Sequence, residues 1–380
     1  MKRKVFVVTA MVSALGYALD GYAQSSVTLY GQIDAGLNFT SNANGHHAFT
    51  MVSGDTAETS FGLMGTENLG GGLNAVFTLE NGVNVFNGQA NEGGRLWGRQ
   101  AFVGLDSESA GRLTLGRQYD ATIDFWSPFT AAGTTIGDFA AHPFDNDNAD
   151  YDFRINNSVK YATPTWGGFR AEATYGFSNT PSFVGNRAYS LAGGYTHGPL
   201  SAAVAYMQLN EGGSTAGGAV GSDAVFLASR QQNIDAGVKW TFSDNSNVGL
   251  AYSHVNVYSP TGNAYAADIG TQNWSSWKFD NIEVNGQYFF TPAFSMIGAY
   301  SFTHGALAST SGRDSPNWHV LSLMLNYSLS KRTSVYVEGA WQHTNAHTGT
   351  DLDHVNIIGS AGPSSTGNQM VYRVALVQRF

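Results

Sequence analysis

The chain has 380 residues, 46 glycines, no cysteine, 13% aromatic residues and only 12% charged residues, with a formal net charge of −9. That acidic balance excludes a basic nucleic-acid binder, and a charged share about half that of an ordinary soluble domain argues against a conventional water-facing surface. With no disulfide available, a chain of this size must be stabilised some other way, and closing a sheet on itself is one solution.

Residues 1–23 open on MKRK and continue through an apolar run, with Gly21 and Ala23 as small residues ahead of a cut. This predicts a signal peptide cleaved after Ala23, because the run falls short of the ~20 residues a spanning helix needs. Cleavage removes Lys2, Arg3, Lys4 and Asp20, which takes the net charge from −9 to −11. It leaves residues 24–380 as a single domain.

From residue 27 onward the segments alternate with a period of two, the mark of β-strands. Residues 27–40 (VTLYGQIDAGLNFT) do so, as do 168–177 (GFRAEATYGF), with Phe169, Ala171, Ala173 and Tyr175 opposite Arg170, Glu172 and Thr174. In 233–242, Ile234, Ala236, Val238 and Trp240 oppose Asn233, Asp235, Lys239 and Thr241. Residues 278–290 repeat the pattern. The last stretch, 369–380 (QMVYRVALVQRF), sets Met370, Tyr372, Val374, Leu376 and Phe380 on one face and Arg373 and Arg379 on the other. A terminal strand with an unpaired edge is an aggregation hazard. The first and last strands are therefore expected to pair and close a barrel.

A soluble sandwich would alternate in the same way, and the connections decide between the two. Short turns at 67–72, 106–111, 163–168, 197–199, 242–247, 291–292 and 328–332 alternate with long polar stretches at 41–54, 83–95, 119–153, 178–186, 209–230, 258–275, 304–316 and 344–368. Turns at one rim and loops at the other describe an antiparallel barrel, and about sixteen strands of ~10 residues fit between them. Aromatic residues beside the turns, among them Tyr175, Phe177, Tyr195, Tyr206, Trp240, Tyr288, Phe290 and Tyr327, fit girdles at two membrane boundaries.

The segments SVTLYGQIDAGL, FGLMGTENLGGGLNAVFTLENG, GRQAFVGLDSESAGRLTLGRQYD, FRINNSVKY and VALVQRF together resemble the Gram-negative outer-membrane general porins of the betaproteobacterial type. The resemblance spans the whole chain after residue 23. It implies a sixteen-stranded transmembrane antiparallel β-barrel in outer-membrane lipid and lipopolysaccharide, a homotrimer, and a third loop folded into the pore. Small hydrophilic solutes would cross it without a cofactor. The resemblance also marks Phe380 as the terminal aromatic read by the outer-membrane assembly machinery. The loop in question, 119–153, is the longest connection, and its length suits a segment with a function.

Parity and the resemblance together nominate Arg99, Arg154 and Lys160 as wall cations at a constriction. Arg99 faces the lumen if Phe102 faces lipid. Parity places Asn156, Ser158 and Lys160 beside Arg154, with Ile155, Val159 and Tyr161 opposite. The resemblance puts Ser60 where relatives often carry an arginine, and Met64 and Gln32 where they carry other basic residues. In loop 3, Asp120, Asp124 and Asp138 flank a middle of threonines and alanines. Asp34, Glu80, Glu172, Glu283 and Glu338 are further lumen carboxylates. Lumen cations favour anions and the acidic chain favours cations, so the sign of selectivity stays open. Arg117 shares parity with outward Leu113 and Leu115, where a bare charge is costly. The resemblance suggests a latch in which Glu92 of one protomer meets Arg117 of another.

Other chemistry finds little purchase. His46, His47, His343, His347, Asp351, Asp353 and His354 fit no known metal spacing and read as solvated loop polarity. Gly70-Gly71-Gly72 lacks the Lys-Ser/Thr and helix of a phosphate loop and reads as a hairpin turn. No Gly-x-Ser-x-Gly motif or nucleophile–histidine set supports an enzyme. Two rivals remain beside a diffusion channel. One is a substrate-specific channel, for which Tyr30, Trp97 and Tyr336 are too scattered to form an aromatic track. The other is an adhesin or soluble β-sheet binding protein.

Overall fold

The computed structural model describes residues 26–181, 183–242 and 245–380, so the expected signal peptide lies outside the described residues. Sixteen antiparallel strands form one closed sheet. In chain order they are β1 (Ser26–Ala43), β2 in two segments (His46–Ser53 and Ser60–Gly70), β3 (Leu73–Gly82), β4 (Gln100–Ser107), β5 (Gly111–Gln118), β6 (Ile155–Ala162), β7 (Phe169–Gly176) and β8 (Arg187–His197). There follow β9 (Leu200–Asn210), β10 (Arg230–Thr241), β11 (Asn247–Tyr258), β12 (Trp274–Thr291), β13 (Phe294–Ser309), β14 (Asn317–Ser328), β15 (Thr333–Thr344) and β16 (Asn368–Arg379).

Closure is made by β1 and β16, in register from Gln32 opposite Arg379 to Thr40 opposite Val371. Gly31 and Phe380 exchange backbone hydrogen bonds at 3.0 and 3.2 Å. A cylinder so closed has no free edge. The alternation expected in β16 holds: Met370, Tyr372, Val374 and Leu376 are exposed outward, while Val371, Arg373, Ala375 and Val377 are buried inside. The outward set on the other strands is equally apolar and includes Leu29, Leu115, Ile234, Leu250, Val284 and Leu323. Inward positions carry Asn233, Ser253, Asn281, Glu283 and Ser322, all buried. This inside-out pattern suits a barrel whose solvent outside is lipid. Aromatic pairs stand near the strand ends, as at Tyr175–Phe177 (4.8 Å between centroids) and Tyr288–Phe290 (5.1 Å). Among the described residues no helix is long and apolar enough to cross a membrane.

Several expectations are corrected. Residues 41–54 are no polar loop, because β1 turns directly into the first segment of β2, with Ala43 opposite His46. Asn44 (φ 51°) and Gly45 (φ 92°) make the turn, and Asn-Gly is the pair that tolerates positive φ at both central positions of a tight hairpin. The stretch 304–316 is likewise mostly ladder, with Ser309 opposite Gly312. Gly70, Gly71 and Gly72 all have positive φ, as a hairpin turn requires.

Parity fails on β4 and at the start of β6. Val103 and Leu105 are the exposed residues of β4, so Phe102 turns inward, and Arg99 lies just ahead of the strand, where parity does not bind it. On β6, Asn157 has φ 51° and the register against β5 slips between Gly116 and Gln118. The bulge re-aims its neighbours. Ile155 becomes buried rather than outward. Arg117 is only 8% exposed and donates to Asp223 Oδ2 (2.7 Å), Asn156 Oδ1 (2.6 Å) and the Gly98 carbonyl (2.6 Å), so it is not the bare outward cation that parity suggested.

Candidate functional site

The segment 119–154, between β5 and β6, is almost wholly buried, and its hydrogen bonds go to the inward side of the wall. Ser190 Oγ on β8 accepts from Ala121 N at 2.9 Å. Trp126 Nε1 donates to the Ala236 carbonyl on β10 at 3.1 Å. On β12, Glu283 Oε1 accepts from Ala131 N (2.7 Å) and Asn285 donates to the Phe129 carbonyl (2.8 Å). Ser322 on β14 donates to the Phe139 carbonyl (2.8 Å). The segment's backbone thus finds partners that regular structure would otherwise supply.

Its deepest anchor is His142. Asp147 Oδ2 lies 2.6 Å from Nδ1 and Glu283 Oε2 lies 3.2 Å from Nε2, and all three side chains are buried. Burial alone would lower the imidazole's affinity for a proton. The two carboxylates outweigh it and hold His142 protonated well above the usual range. Asp147 also accepts from Ser253 (2.5 Å) and Asn281 (3.1 Å).

Between this segment and the β1–β4 side of the wall lies a cavity of about 650 Å³. Arg99, Arg154, Glu58, Glu92, Asp138 and Asp152 are among its lining. Arg99 donates from Nε to Glu80 Oε1 (2.5 Å) and also bonds Glu58. Arg154 lies against Tyr119, donating to its hydroxyl (3.0 Å), and meets Glu58 Oε2 at 3.4 Å. Glu92 sits 3.9 Å from Arg99 and 3.8 Å from Arg154. Burial would raise the Glu58 carboxyl, but the two guanidiniums win and hold it at about 2. Glu92 is pushed up to about 7 by burial and by the charge of Glu58. The geometry thus unites the sequence candidates Arg99 and Arg154, and adds Glu58 and Glu80 as their partners.

Lys160 stands apart from that pair. It bonds Asp124, lies 3.6 Å from Glu172 and donates to the Tyr119 carbonyl at 3.1 Å. Asp120 caps the short helix Ala121–Phe125 by accepting from Thr122 N at 2.7 Å, and burial raises it to about 6. Asp138 lines the cavity and Ser60 is buried in β2. Tyr30 and Tyr336 are occupied by hydrogen bonds to Glu80 (2.7 Å) and Asp34 (2.8 and 2.9 Å), so they form no open aromatic track. Of the histidines expected on loops, His46 and His47 lie in β2 and His343 in β15, where His343 stacks on Trp341 (6.0 Å), while His354 lies 3.8 Å from Asp351.

Sequence reasoning missed Glu58, His142, Asp147 and Asp152. Glu58 lies in residues 54–59, which interrupt β2, a break that no periodicity marks. A signal for Asp147 and Asp152 existed: DNDNADYD at 145–152 is the densest acidic run of the longest connection.

The family described as Gram-negative porin matches residues 8–347. An outer membrane porin protein of Bordetella pertussis is 31% identical over 89% of this chain and 94% of its own. The solved structure of an anion-selective porin from Comamonas acidovorans superposes with a TM-score of 0.72 at 22% identity, covering 94% of this chain and all of that one. The trimer form of OmpT, an outer membrane protein of Vibrio cholerae, gives 0.65 at 16% identity, covering 94% of this chain and 99% of that one.

Proposed function

The chain belongs to the Gram-negative porin family, whose members are outer-membrane channels rather than enzymes, and from that premise we propose a trimeric general-diffusion channel narrowed from within by residues 119–154. Water and small hydrophilic solutes pass down their gradients, with no cofactor or energy source. Size is set where the segment faces the wall, and charge preference by the side chains that line the gap. The observation that carries this reading is the row of hydrogen bonds between the segment and the wall, at side chains of β8, β12 and β14 and a backbone carbonyl of β10, with a charged cavity left beside it. Arg99, Arg154 and Asp138 belong to that neck, and Ser60, buried at the start of the second segment of β2, is assigned to the wall beside it. Lys160 belongs to the neighbouring wall, and Asp120 and Asp124 to the start of the segment that faces it.

The cysteine-free chain makes a direct test available. Thr134 is exposed on the cavity lining, so Thr134→Cys treated with a charged thiol reagent should lose roughly half or more of its single-channel conductance, by the close-range action of lining charge. An unchanged conductance after complete labelling would remove the segment from the passage.

Trimer assembly draws support from the trimeric OmpT neighbour. A latch between Glu92 and Arg117 of adjacent protomers requires an exchange of partners, since Arg117 holds Asp223 and Glu92 faces Arg99 and Arg154 within one chain. Loss of trimer heat resistance on a semi-native gel in Glu92→Ala and Arg117→Ala alike would support the exchange, and unaltered melting in both would reject it. Residues 1–23 are assigned as the export signal, Phe380 as the residue met by the assembly machinery, and lipid with lipopolysaccharide as the surroundings of the outward band.

A further inference from the structure

The neck's two wall cations are already spoken for. Glu58 bonds Arg99 and lies 3.4 Å from Arg154, and Glu80 takes Arg99 from the other side. Glu92 then adds a third carboxylate to two guanidiniums. Its side chain is 4% exposed, neither oxygen has a hydrogen-bond partner, and it lines the cavity. The segment opposite contributes Asp138, Asp150 and Asp152, each partly exposed to the same cavity. Arg379, at the end of β16, is the remaining cation of the lining among the described residues. With Asp55, six carboxylates therefore line the gap against three guanidiniums, two of which are engaged by glutamates.

On the channel reading above, we infer that the neck passes cations in preference to anions, with Asp138, Asp150 and Asp152 as the residues that set the preference. A lining with surplus negative charge, enclosed by low-dielectric walls, raises the local concentration of cations and depletes anions. The arginines cannot reverse this while Glu58 and Glu80 hold them.

The surplus depends on pH. Burial pushes Asp138 up to about 7, helped by the charges of Glu58 and Asp152 and opposed by Arg373. Asp152 is raised to about 6 by burial, against the hydrogen bond from Tyr265 and the charge of Arg154. Asp150 is raised by burial and by Asp138, Asp145, Asp152 and Asp55. Glu92, facing Glu58, Arg154 and Arg99, stands at about 7. Each of these groups gains negative charge as pH rises, so the cation preference grows in the same direction.

The test uses the full-length folded protein in a planar bilayer under a potassium chloride gradient, with reversal potential as the readout. The wild type should show a potassium-to-chloride permeability ratio above one at pH 8, falling on acidification to pH 5.5. In Asp138→Asn/Asp150→Asn/Asp152→Asn the ratio at pH 8 should fall roughly threefold or more, the effect of lost unit charges a few ångströms from the ion path. Heat-modifiable migration checks that the triple variant has folded, and if it has not, the wild-type pH series carries the test alone. Chloride preference at pH 8, a ratio indifferent to pH, or a folded triple variant with the wild-type ratio overturns the inference while leaving the channel intact. Absence of conductance steps from the folded wild type would overturn the channel reading and this inference with it.

Discussion

Two arginine-centred clusters in this barrel use the same chemistry on opposite sides of one boundary, that between dry wall and wet passage. At the closing seam, Arg373 of β16 reaches Asp34 Oδ1 (2.8 Å), Asn38 Oδ1 (2.7 Å) and the Tyr336 hydroxyl (2.7 Å), and its side chain is 0% exposed. Asp55 and Glu338 stand 3.7 and 3.9 Å away. At the neck, Arg99 and Arg154 share Glu58, whose side chain is 32% exposed. A sealed ion cluster is held by bonds that must offset a large desolvation cost, so removing one partner is damaging. A cluster opened to water through one member, as the neck is through Glu58, is screened there, so that charge acts on traffic more than on folding. The seam is therefore structural, and on the proposed channel reading the neck is the selective part.

The largest effect is expected from Arg373→Ala. It leaves Asp34, Asp55 and Glu338 without their buried cation, and we expect a loss of about 3–5 kcal/mol, read as a lower denaturant midpoint for the barrel in detergent. A midpoint within error of wild type would show that the seam gains little from its arginine.

His142 tests whether the inner segment belongs with the seam or the neck. His142→Ala removes a charge-assisted hydrogen bond to Asp147 and an ion pair with Glu283, at a cost of about 2–3 kcal/mol, and leaves both carboxylates without their cation. Conductance should become larger and noisier as the segment loosens. Its pH dependence has a definite sign. The folded state raises the affinity of His142 for its proton, so its contribution is complete below the ordinary imidazole value of about 6.5 and is lost as pH climbs through the raised one. Single-channel recordings from pH 7 upward should stay steady and then open at alkaline pH. Opening on acidification instead would mean that the bridge to Glu283 and Asp147 is not what holds the segment.

How far these regions were legible in the sequence follows the same boundary. Period-two alternation gave the seam because lipid on one side forces every second residue of β1 and β16 to be apolar, and Arg373 stood out on the quiet face. The hairpin at Asn44-Gly45 was equally readable from its turn residues, but it was masked by two histidines and a run of small polar residues. The neck resists such reading because its chemistry sits where alternation stops. Arg99 precedes β4, Arg154 precedes β6, Glu58 interrupts β2, and the bulge at Asn157 resets parity for Ile155. Residue type named Arg99 and Arg154 there, with the family resemblance. Only the folded chain could show that Glu58 and Glu80 neutralise them.

Glu58→Gln sharpens the neck side. With a third of its side chain in solvent, the stability change should stay within about 1 kcal/mol. The permeability ratio should still move toward anions as Arg99 and Arg154 lose their shared partner. Glu58 is held at about 2 because the guanidiniums outweigh burial, so its contribution is present above its unfolded value and disappears only as pH falls through about 2. Its charge is therefore constant through the range in which Glu92 and Asp138 titrate. A large unfolding shift with an unmoved reversal potential would place Glu58 with Arg373 as a structural acid.

The smallest expected effect lies farthest from both clusters. Asn44 sits at φ 51° beside Gly45 at 92°, and Asn42 Oδ1 accepts from Gly45 N at 2.8 Å to hold the tip of the first hairpin. Asn44→Ala keeps the strands but puts a less tolerant residue in the left-handed region, at about 1 kcal/mol. The midpoint should fall slightly, while conductance and reversal potential stay at their wild-type values, because the tip touches neither Arg373 nor the charged lining. A changed reversal potential would show that the β1–β2 hairpin transmits strain through residues 54–59 to Glu58, and the seam and the neck would then have to be treated as one coupled unit.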